Sequence, residues 1–278
     1  VSNNYYSAEQ ALLAKAIIEN SFSGKVFFGN SGAEANEAAV KLARKYGHDK
    51  GKYEVITMLK SFHGRTLAMI TATGQDKVKK GFEPLPEGFK YVPFGDIEAL
   101  KNAISDKTIG VMLEPVQCEG GINIASKEYM AALRALCDEK GLVLIFDEVQ
   151  TGMGRAGKMF AYQNYDITPD VMTLAKALGG GLPIGACVAS AKFQDVLTPG
   201  THASTFGGSP IVCAAGLAVF AAIKKEKLLA NTNKMGAYLV KRLKELQKKY
   251  GFIKEIRAMA LIIGVELKIN GEEIYKLC

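Results

Sequence analysis

Lys176 and Asp147 are the two residues of this chain whose type and setting best suit chemistry on a small molecule. Lys176 follows the apolar residues 171–175 and precedes the triple glycine 179–181, and Asp147 ends a second apolar run at 142–146. A lysine amine can form a Schiff base with an aldehyde, and a carboxylate can keep a ring nitrogen protonated. Each alone has a plainer interpretation, Lys176 as a surface charge and Asp147 as a helix cap or ion-pair partner. Together they are the minimum set for pyridoxal-phosphate chemistry.

The elements that must hold these residues alternate between helix and strand. Helical periodicity covers residues 8–20, 33–46, 97–104, 127–140 and 211–250, and strand-like runs cover residues 26–28, 54–59, 109–113, 142–146, 171–174 and 186–189. This alternation predicts an α/β protein with a largely parallel sheet that is covered by helices on both faces. Ligands bind such sheets at the carboxyl ends of the strands.

Side chains capable of chemistry recur at these predicted strand ends. They lie at residues 30–34, 61–65, 114–115 and 147–148. Strand alternation turns Glu148 away from Asp147, which favours a structural role for Glu148. We interpret His63 as a neighbour of the site rather than an acid–base group.

Two of these segments have residues that suit ligand binding. Ser31, Gly32 and Ala33 join a strand to a helix, where small residues and exposed amides suit a phosphate; an ordinary helix start with a serine cap has the same pattern. Phe62 can stack on a flat ring and Arg65 can bind a carboxylate. The plainer interpretation makes Phe62 a core residue and Arg65 a surface charge.

Composition limits the classes of protein to consider. With 278 residues, 48% of them hydrophobic, the chain can bury a sizeable core, as one large domain or as one large domain plus a small appendage. Five scattered cysteines without a C-x-x-C pair indicate reduced thiols in the cytoplasm rather than a disulfide framework or a metal site. No apolar run approaches the roughly 20 residues that span a bilayer, which argues against a membrane partner. The net charge of +7 is spread among acidic residues along helices, so it predicts a solvated surface and no nucleic-acid partner.

The motifs, taken in order, resemble those of the class III (subgroup II) pyridoxal-phosphate-dependent aminotransferases. Besides the lysine segment, they are N-S-G-A-E at 30–34, F-H-G-R-T at 62–66, E-P-V-Q-C-E-G-G at 114–121, F-D-E-V-Q at 146–150 and S-T-F-G-G at 204–208. The match runs from Val1 to at least Leu267. The resemblance implies fold type I of the pyridoxal-phosphate enzymes, a mainly parallel seven-stranded sheet flanked by helices, with pyridoxal 5′-phosphate as cofactor.

The resemblance also implies a role for each candidate residue. As the catalytic residue, Lys176 would bind the cofactor as a Schiff base and move a proton. The other cofactor-binding residues would be Ser31, Gly32, Ala33 and Thr205 at the phosphate, Phe62 on the ring, Asp147 at the ring nitrogen and Gln150 at the phenolic oxygen. Arg65, Glu114 and Glu119 would bind substrate. In the family this threonine reaches the cofactor of the neighbouring subunit, which implies a homodimer with active sites shared across the interface.

Within the family, residues 150–157 and 181–186 resemble the acetylornithine aminotransferases. The implied reaction transfers the amino group of N-acetylornithine to 2-oxoglutarate in arginine biosynthesis, giving N-acetylglutamate semialdehyde and glutamate. The alternatives are another ω-aminotransferase, acting on ornithine, 4-aminobutyrate or succinylornithine, or a glutamate-semialdehyde aminomutase. A cofactor-binding fragment without activity is the alternative from a different class.

The ends of the chain predict an incomplete second domain. We expect a large cofactor-binding domain at residues 1–253 and the start of a truncated small domain at 254–278, with its first strand at 261–267. The family's small domain supplies a second arginine for the substrate, beyond the end of this chain. Ala258 and Ala260 stand where the family tends to have glycine. Alanine is unfavourable where φ is positive, so we expect the join between the domains to be altered.

Overall fold

The computed structural model describes residues 5–277. Residues 1–4, with which the predicted family match begins, lie outside the described residues. So does Cys278, the fifth cysteine and the last residue of the predicted small domain.

The strands build one large sheet and two small ones. They are β1 (Gly24–Gly29), β2 (Glu54–Met58), β3 (Phe89–Val92), β4 (Thr108–Leu113), β5 (Val116–Gln117), β6 (Asn123–Ile124), β7 (Val143–Asp147), β8 (Val171–Leu174), β9 (Gly185–Ser190), β10 (Ile253–Met259) and β11 (Ile262–Leu267). The large sheet has seven strands in the order β1-β9-β8-β7-β4-β2-β3. Within it, β9 pairs antiparallel with both of its neighbours, β1 and β8, and the other pairs are parallel. The prediction of a mainly parallel seven-stranded sheet is confirmed.

Helices connect and cover these strands. They are α1 (Ala8–Asn20), α2 (Gly32–Gly47), α3 (Leu67–Ala72), α4 (Ile97–Ala103), α5 (Lys127–Lys140), α6 (Pro210–Lys225), α7 (Leu228–Lys249) and α8 (Glu272–Leu277). Local signals set several ends. The Ser126 side chain caps the first turn of α5, and Gly141 ends that helix in the left-handed conformation.

The core lies on both faces of the large sheet. Along β7, Leu144 and Phe146 belong to one buried cluster, and Val143 and Ile145 belong to the other. The first cluster includes residues of α1, α5 and α6, and the second includes residues of α2. This explains why β7 is an uninterrupted apolar run, as expected of a parallel strand that is buried on both faces.

Two details differ from the sequence-based expectation. The helical region 211–250 is two helices, because Lys227 between them has a left-handed φ of 54°. The strand at 261–267 is not the first of its unit, because β10 precedes it and pairs with it antiparallel. The sequence pattern did not predict β10, because its apolar residues are interrupted by the charged residues Lys254, Glu255 and Arg257.

The β10–β11 hairpin is a sheet of its own, separate from the large sheet. The predicted domain boundary at 253/254 falls within β10, and the division into two domains stays a prediction. Ala260 has a φ of 51°, the conformation that alanine disfavours, whereas Ala258 lies inside β10 and has no positive φ. Only one of the two alanines is therefore strained.

Candidate active site

Asp147 lies at the carboxyl end of β7 and is 4% exposed. Its Oδ2 accepts hydrogen bonds from Asn36 Nδ2 and His63 Nδ1, both at 2.8 Å. Its Oδ1 accepts from the backbone amide of Val149 at 3.1 Å. A buried carboxylate is stable only with such partners, and they fix its position.

The sequence analysis did not identify two polar residues of the network around Asp147, Asn36 and Thr173. Asn36 of α2 joins the whole group, because its Nδ2 also donates to the His63 carbonyl at 2.7 Å. Its Oδ1 accepts from Thr173 Oγ1 at 2.6 Å. His63, interpreted from the sequence as a neighbour of the site, donates directly to Asp147, and its Nε2 is buried without a hydrogen-bond partner. A polar residue in an apolar helix face, such as Asn36, was the available signal.

Glu148 has the structural role that strand alternation predicted. Its carboxylate accepts hydrogen bonds from the amides of Ala161 and Tyr162 at 2.7 and 2.8 Å, and from Thr151 Oγ1 at 2.8 Å. Burial raises the pKa of Glu148 to about 7, and these hydrogen bonds act in the opposite direction. The two successive carboxylates therefore have different roles: Asp147 lines the cavity, whereas Glu148 binds backbone amides away from it.

Lys176 follows β8, the neighbour of β7 in the sheet. The strand ends at Leu174, and Lys176 then adopts a left-handed φ of 44°, the start of a short 3-10 turn. A left-handed lysine is uncommon and marks a site that its surroundings hold in place. The side chain is exposed, so the amine is accessible to a small molecule.

The start of α2 forms another wall of the same site. Ser31 caps the helix by accepting from the Glu34 amide at 3.2 Å, which confirms the plain interpretation of this serine as a cap. The amides of Gly32 and Ala33 belong to the first turn and have no partner within the helix. Gly185 of β9 permits this packing, because a Cβ there would lie 2.1 Å from the Ser31 carbonyl oxygen.

Phe62 and Arg65 follow the end of β2. The Arg65 guanidinium carbon lies 5.3 Å from the centre of the Phe62 ring, and Arg65 is exposed. The amide of Phe62 donates to Glu114 Oε2 at 3.1 Å. Burial, together with the nearby charge of Asp147, raises the pKa of Glu114 well above its usual value, so Glu114 retains its proton at higher pH than an ordinary glutamate.

One cavity of about 460 Å³ brings most of the predicted residues together. Eight of them line it: Ser31, Gly32, Ala33, Phe62, Glu114, Asp147, Gln150 and Lys176. Glu119 and Arg65 are not among its lining residues, although Glu119 Oε1 accepts from Gln150 Nε2 at 3.3 Å. Thr205 lies apart, exposed in a second surface cavity with Phe27, Glu34 and His202.

The cavity offers an accessible amine, a buried carboxylate, an aromatic ring and a helix N-terminus. These groups match the aldehyde, the protonated ring nitrogen, the flat ring and the phosphate of pyridoxal phosphate. No group of His, Cys, Asp and Glu among the described residues is arranged to hold a metal ion. Within residues 5–277, no helix is long and apolar enough to cross a membrane.

The sequence is similar to those of curated acetylornithine aminotransferases. It is 52% identical to the enzyme of Methanocaldococcus jannaschii, over 99% of this chain and 70% of that protein. It is 55% identical to the enzyme of Caldanaerobacter subterraneus subsp. tengcongensis, over 97% of this chain and 69% of that protein.

Solved structures agree on the fold. The ornithine aminotransferase of Toxoplasma gondii superposes with a TM-score of 0.94 at 32% identity, over 99% of this chain and 68% of that one. An (S)-enantioselective ω-transaminase of Thermomicrobium roseum superposes with a TM-score of 0.89 at 29% identity, over 96% of this chain and 67% of that one.

The family model of the class-III aminotransferases matches residues 1–278. Together with curated relatives at about half identity over nearly the whole chain, this match shows that the chain belongs to the class-III aminotransferases.

Proposed function

We propose that this chain binds pyridoxal 5′-phosphate in its cavity and transfers the amino group of N-acetylornithine to 2-oxoglutarate. The products are N-acetylglutamate semialdehyde and glutamate. The similarity to curated acetylornithine aminotransferases supports the donor. The observation that carries the chemistry is that Lys176 and Asp147 line the same cavity at the ends of adjacent strands.

Lys176 and Asp147 have different roles in this reaction. Lys176 would hold the cofactor through its aldehyde, and its amine would move a proton from the substrate carbon to the cofactor. Asp147 holds the ring nitrogen protonated, and the hydrogen bonds from Asn36 and His63 keep its carboxylate in place. When bound, pyridoxal phosphate supplies an aldehyde that accepts the amino group and a ring that withdraws electrons.

The remaining candidate residues bind and orient. The amides of Gly32 and Ala33, at the start of α2 behind Ser31, bind the phosphate, because a helix N-terminus attracts anions. Phe62 supports the flat ring, and Gln150 donates to its phenolic oxygen. Arg65, Glu114 and Glu119 bind the substrate, and Arg65 does so by pairing with a substrate carboxylate.

An absorption titration tests the cofactor and the donor together. Pyridoxal phosphate added to the purified protein is expected to give the visible band of a lysine-bound cofactor. N-acetylornithine should bleach that band, and 2-oxoglutarate should restore it. A protein that gives no band would contradict the assignment of Lys176.

Ornithine is the second candidate donor, because the superposed Toxoplasma gondii structure is an ornithine aminotransferase. The two donors differ in the α-amino group, which is charged in ornithine and an uncharged amide in N-acetylornithine. Initial rates of bleaching with each donor at equal concentration separate them. A faster reaction with ornithine would overturn the choice of N-acetylornithine.

We also propose a homodimer in which Thr205 of one subunit binds the cofactor phosphate of the other. The position of Thr205, exposed and away from the cavity of its own subunit, supports this arrangement. Mixing unfolded Lys176→Ala and Thr205→Ala chains and refolding them tests it. If Thr205 acts in the partner's site, mixed dimers contain one intact site and recover about a quarter of the wild-type activity. If it acts in its own site, every site carries a defect and no activity returns.

Two further proposals concern the setting of the protein. The free thiols of Cys118, Cys137, Cys187 and Cys213 support a cytoplasmic location, where thiols stay reduced. The separate β10–β11 sheet supports the beginning of a small domain near residue 254.

A further inference from the structure

Residues 118–122 form the tip of the two-stranded ribbon that β5 and β6 make beside the cavity. The ribbon pairs Val116 with Ile124 and Gln117 with Asn123, and its tip carries Glu119. The tip backbone is strained, because Ile122 has a left-handed φ of 56°. A β-branched residue avoids this conformation, so contacts from outside the ribbon must hold the tip.

Arg257 of β10 supplies such contacts. Its Nε donates to the carbonyl of Ile122 at 3.2 Å, and its Nη2 donates to the carbonyl of Gly121 at 2.8 Å. One planar guanidinium thus binds two successive carbonyls of the tip, which a lysine ammonium cannot reproduce in the same geometry. Its Nη1 pairs with Glu255 and Glu266, which fixes the plane of the guanidinium.

The hairpin backbone also lies directly against the tip. Gly264, which pairs with Arg257 across the hairpin, has no side chain, and a Cβ there would lie 2.8 Å from the Ile122 Cβ. Ile122 packs against the apolar cluster that contains Ile262 of the same hairpin, and Met259 packs against that cluster too. The hairpin therefore fixes one side of the tip through both polar and apolar contacts.

The other side of the tip contacts the end of β2 and the cavity. A Cβ on Gly120 would lie 2.6 Å from the Lys60 carbonyl oxygen, so the tip has little room on that side. The Glu119 carboxylate meets Gln150, which lines the cavity. The tip is thus held between the large sheet and the hairpin, with Glu119 at the cavity rim.

We propose that Arg257 is a positioning residue for substrate binding, which holds the ribbon tip so that Glu119 stands at the rim of the cavity. Arg257 itself does not line the cavity. It acts by restricting the tip, so that Glu119 meets the amino donor without first losing conformational freedom. This inference rests on the proposed function, in which Glu119 binds the substrate.

Amide hydrogen exchange tests the restriction without any substrate. In Arg257→Gln, the amides of residues 118–123 should exchange at least about tenfold faster, because the tip opens more often once its two carbonyls lose their donors. Lys254→Gln is the matched control, since the ammonium of Lys254 pairs with Glu266 on the same hairpin rather than with the tip. Its tip amides should exchange as in the wild type. Unchanged exchange in Arg257→Gln would overturn the proposal, whatever the donor.

A double-mutant cycle tests the effect on the substrate. Arg257→Gln should raise the KM for the amino donor about tenfold with little change in kcat, and the effect should largely disappear in a Glu119→Gln background. Gly264→Ala, which displaces Ile122 while leaving Arg257 in place, should raise the same KM. The visible cofactor band should stay unchanged in these variants.

The two arms separate failure of this inference from failure of the proposed function. Additive effects of Arg257→Gln and Glu119→Gln on the KM would mean that Arg257 acts independently of Glu119, and would overturn the proposal. If wild type proves inactive with N-acetylornithine, the donor is wrong, and the cycle is carried out with the donor that bleaches the band. Faster exchange of the tip with a coupled KM effect for that donor would still support the role of Arg257.

Discussion

On the floor of the cavity, the Asp147 carboxylate is 4% exposed and accepts three hydrogen bonds, whereas at the rim the exposed Glu119 accepts one, from Gln150. The floor, which comprises Asp147 and Lys176, lies at the ends of the buried parallel strands β7 and β8. Asn36 connects it through hydrogen bonds to the neighbouring segments. The rim lies on a short ribbon that a separate hairpin holds. The floor thus has a single geometry for the reaction, whereas the geometry of the rim depends on a few surface contacts. Changes to the floor should therefore affect turnover, and changes to the hairpin should affect stability or substrate affinity.

The largest effect is expected for Lys176→Ala on the floor. The variant loses both the covalent attachment and the proton carrier, so turnover should fall by more than about 10³-fold. Circular dichroism should show a folded protein, because Lys176 is exposed. Lys241→Ala, an exposed lysine on α7, is the control and should keep full activity. Multiple turnovers by Lys176→Ala without an added amine would contradict the assignment.

Asp147→Asn should produce the next largest effect. The variant keeps the shape of the side chain but removes the charge that holds the ring nitrogen protonated, so the rate of bleaching by the donor should fall about 10² to 10³-fold. Stopped-flow absorbance of the donor half-reaction measures this. If the rate stays within about twofold of wild type, the donor half-reaction does not depend on the charge of Asp147.

Glu148→Gln should alter stability and leave the donor half-reaction rate unchanged, because Glu148 faces away from the cavity. An amide nitrogen would meet a backbone donor in place of a carboxylate oxygen, which costs about 1 to 3 kcal/mol in the free energy of unfolding. Urea unfolding measures this loss. A strong loss of activity in the folded variant would show that Glu148, like Asp147, is needed for the reaction.

The pH dependence of unfolding gives a second test of Glu148. Its pKa in the folded protein is raised to about 7 from 4.5, so the folded state keeps a proton that the unfolded chain loses. Its contribution to stability is therefore fully present below pH 4.5 and declines as the pH rises to about 7. The difference in unfolding free energy between wild type and Glu148→Gln should change across this interval. A constant difference would show that burial does not raise the pKa.

The smallest effect is expected in the hairpin, where Ala260→Gly should stabilise the protein by about 1 kcal/mol by removing the strain of a left-handed alanine. Ala258→Gly is the matched control and should destabilise it by about 0.5 to 1 kcal/mol, because glycine weakens a strand. Thermal unfolding of both variants measures the two signs. Equal effects would mean that the backbone at Ala260 is not strained.

The sequence predicted the floor better than the hairpin. Leu144 and Phe146 lie in an apolar run that is buried on both faces of the sheet, so the strand and the position of Asp147 at its end followed directly. Lys254, Glu255 and Arg257 interrupt the apolar pattern of β10, because that strand is partly exposed and pairs with a single neighbour. A strand that pairs with a single neighbour is therefore harder to recognise from its local composition.

By itself, the sequence determined the class of fold, the order of the sheet-end motifs and the residues capable of chemistry, because apolar periodicity and side-chain type are local properties. Only the tertiary structure decided that Asn36, His63 and Thr173 form one network with Asp147. The same is true of the hydrogen bonds from Arg257 to the ribbon tip that carries Glu119. Asn36 and Thr173 are separated by 137 positions along the chain. Hydrogen bonds between such distant residues depend on how the strands and helices pack, which no local pattern in the sequence records.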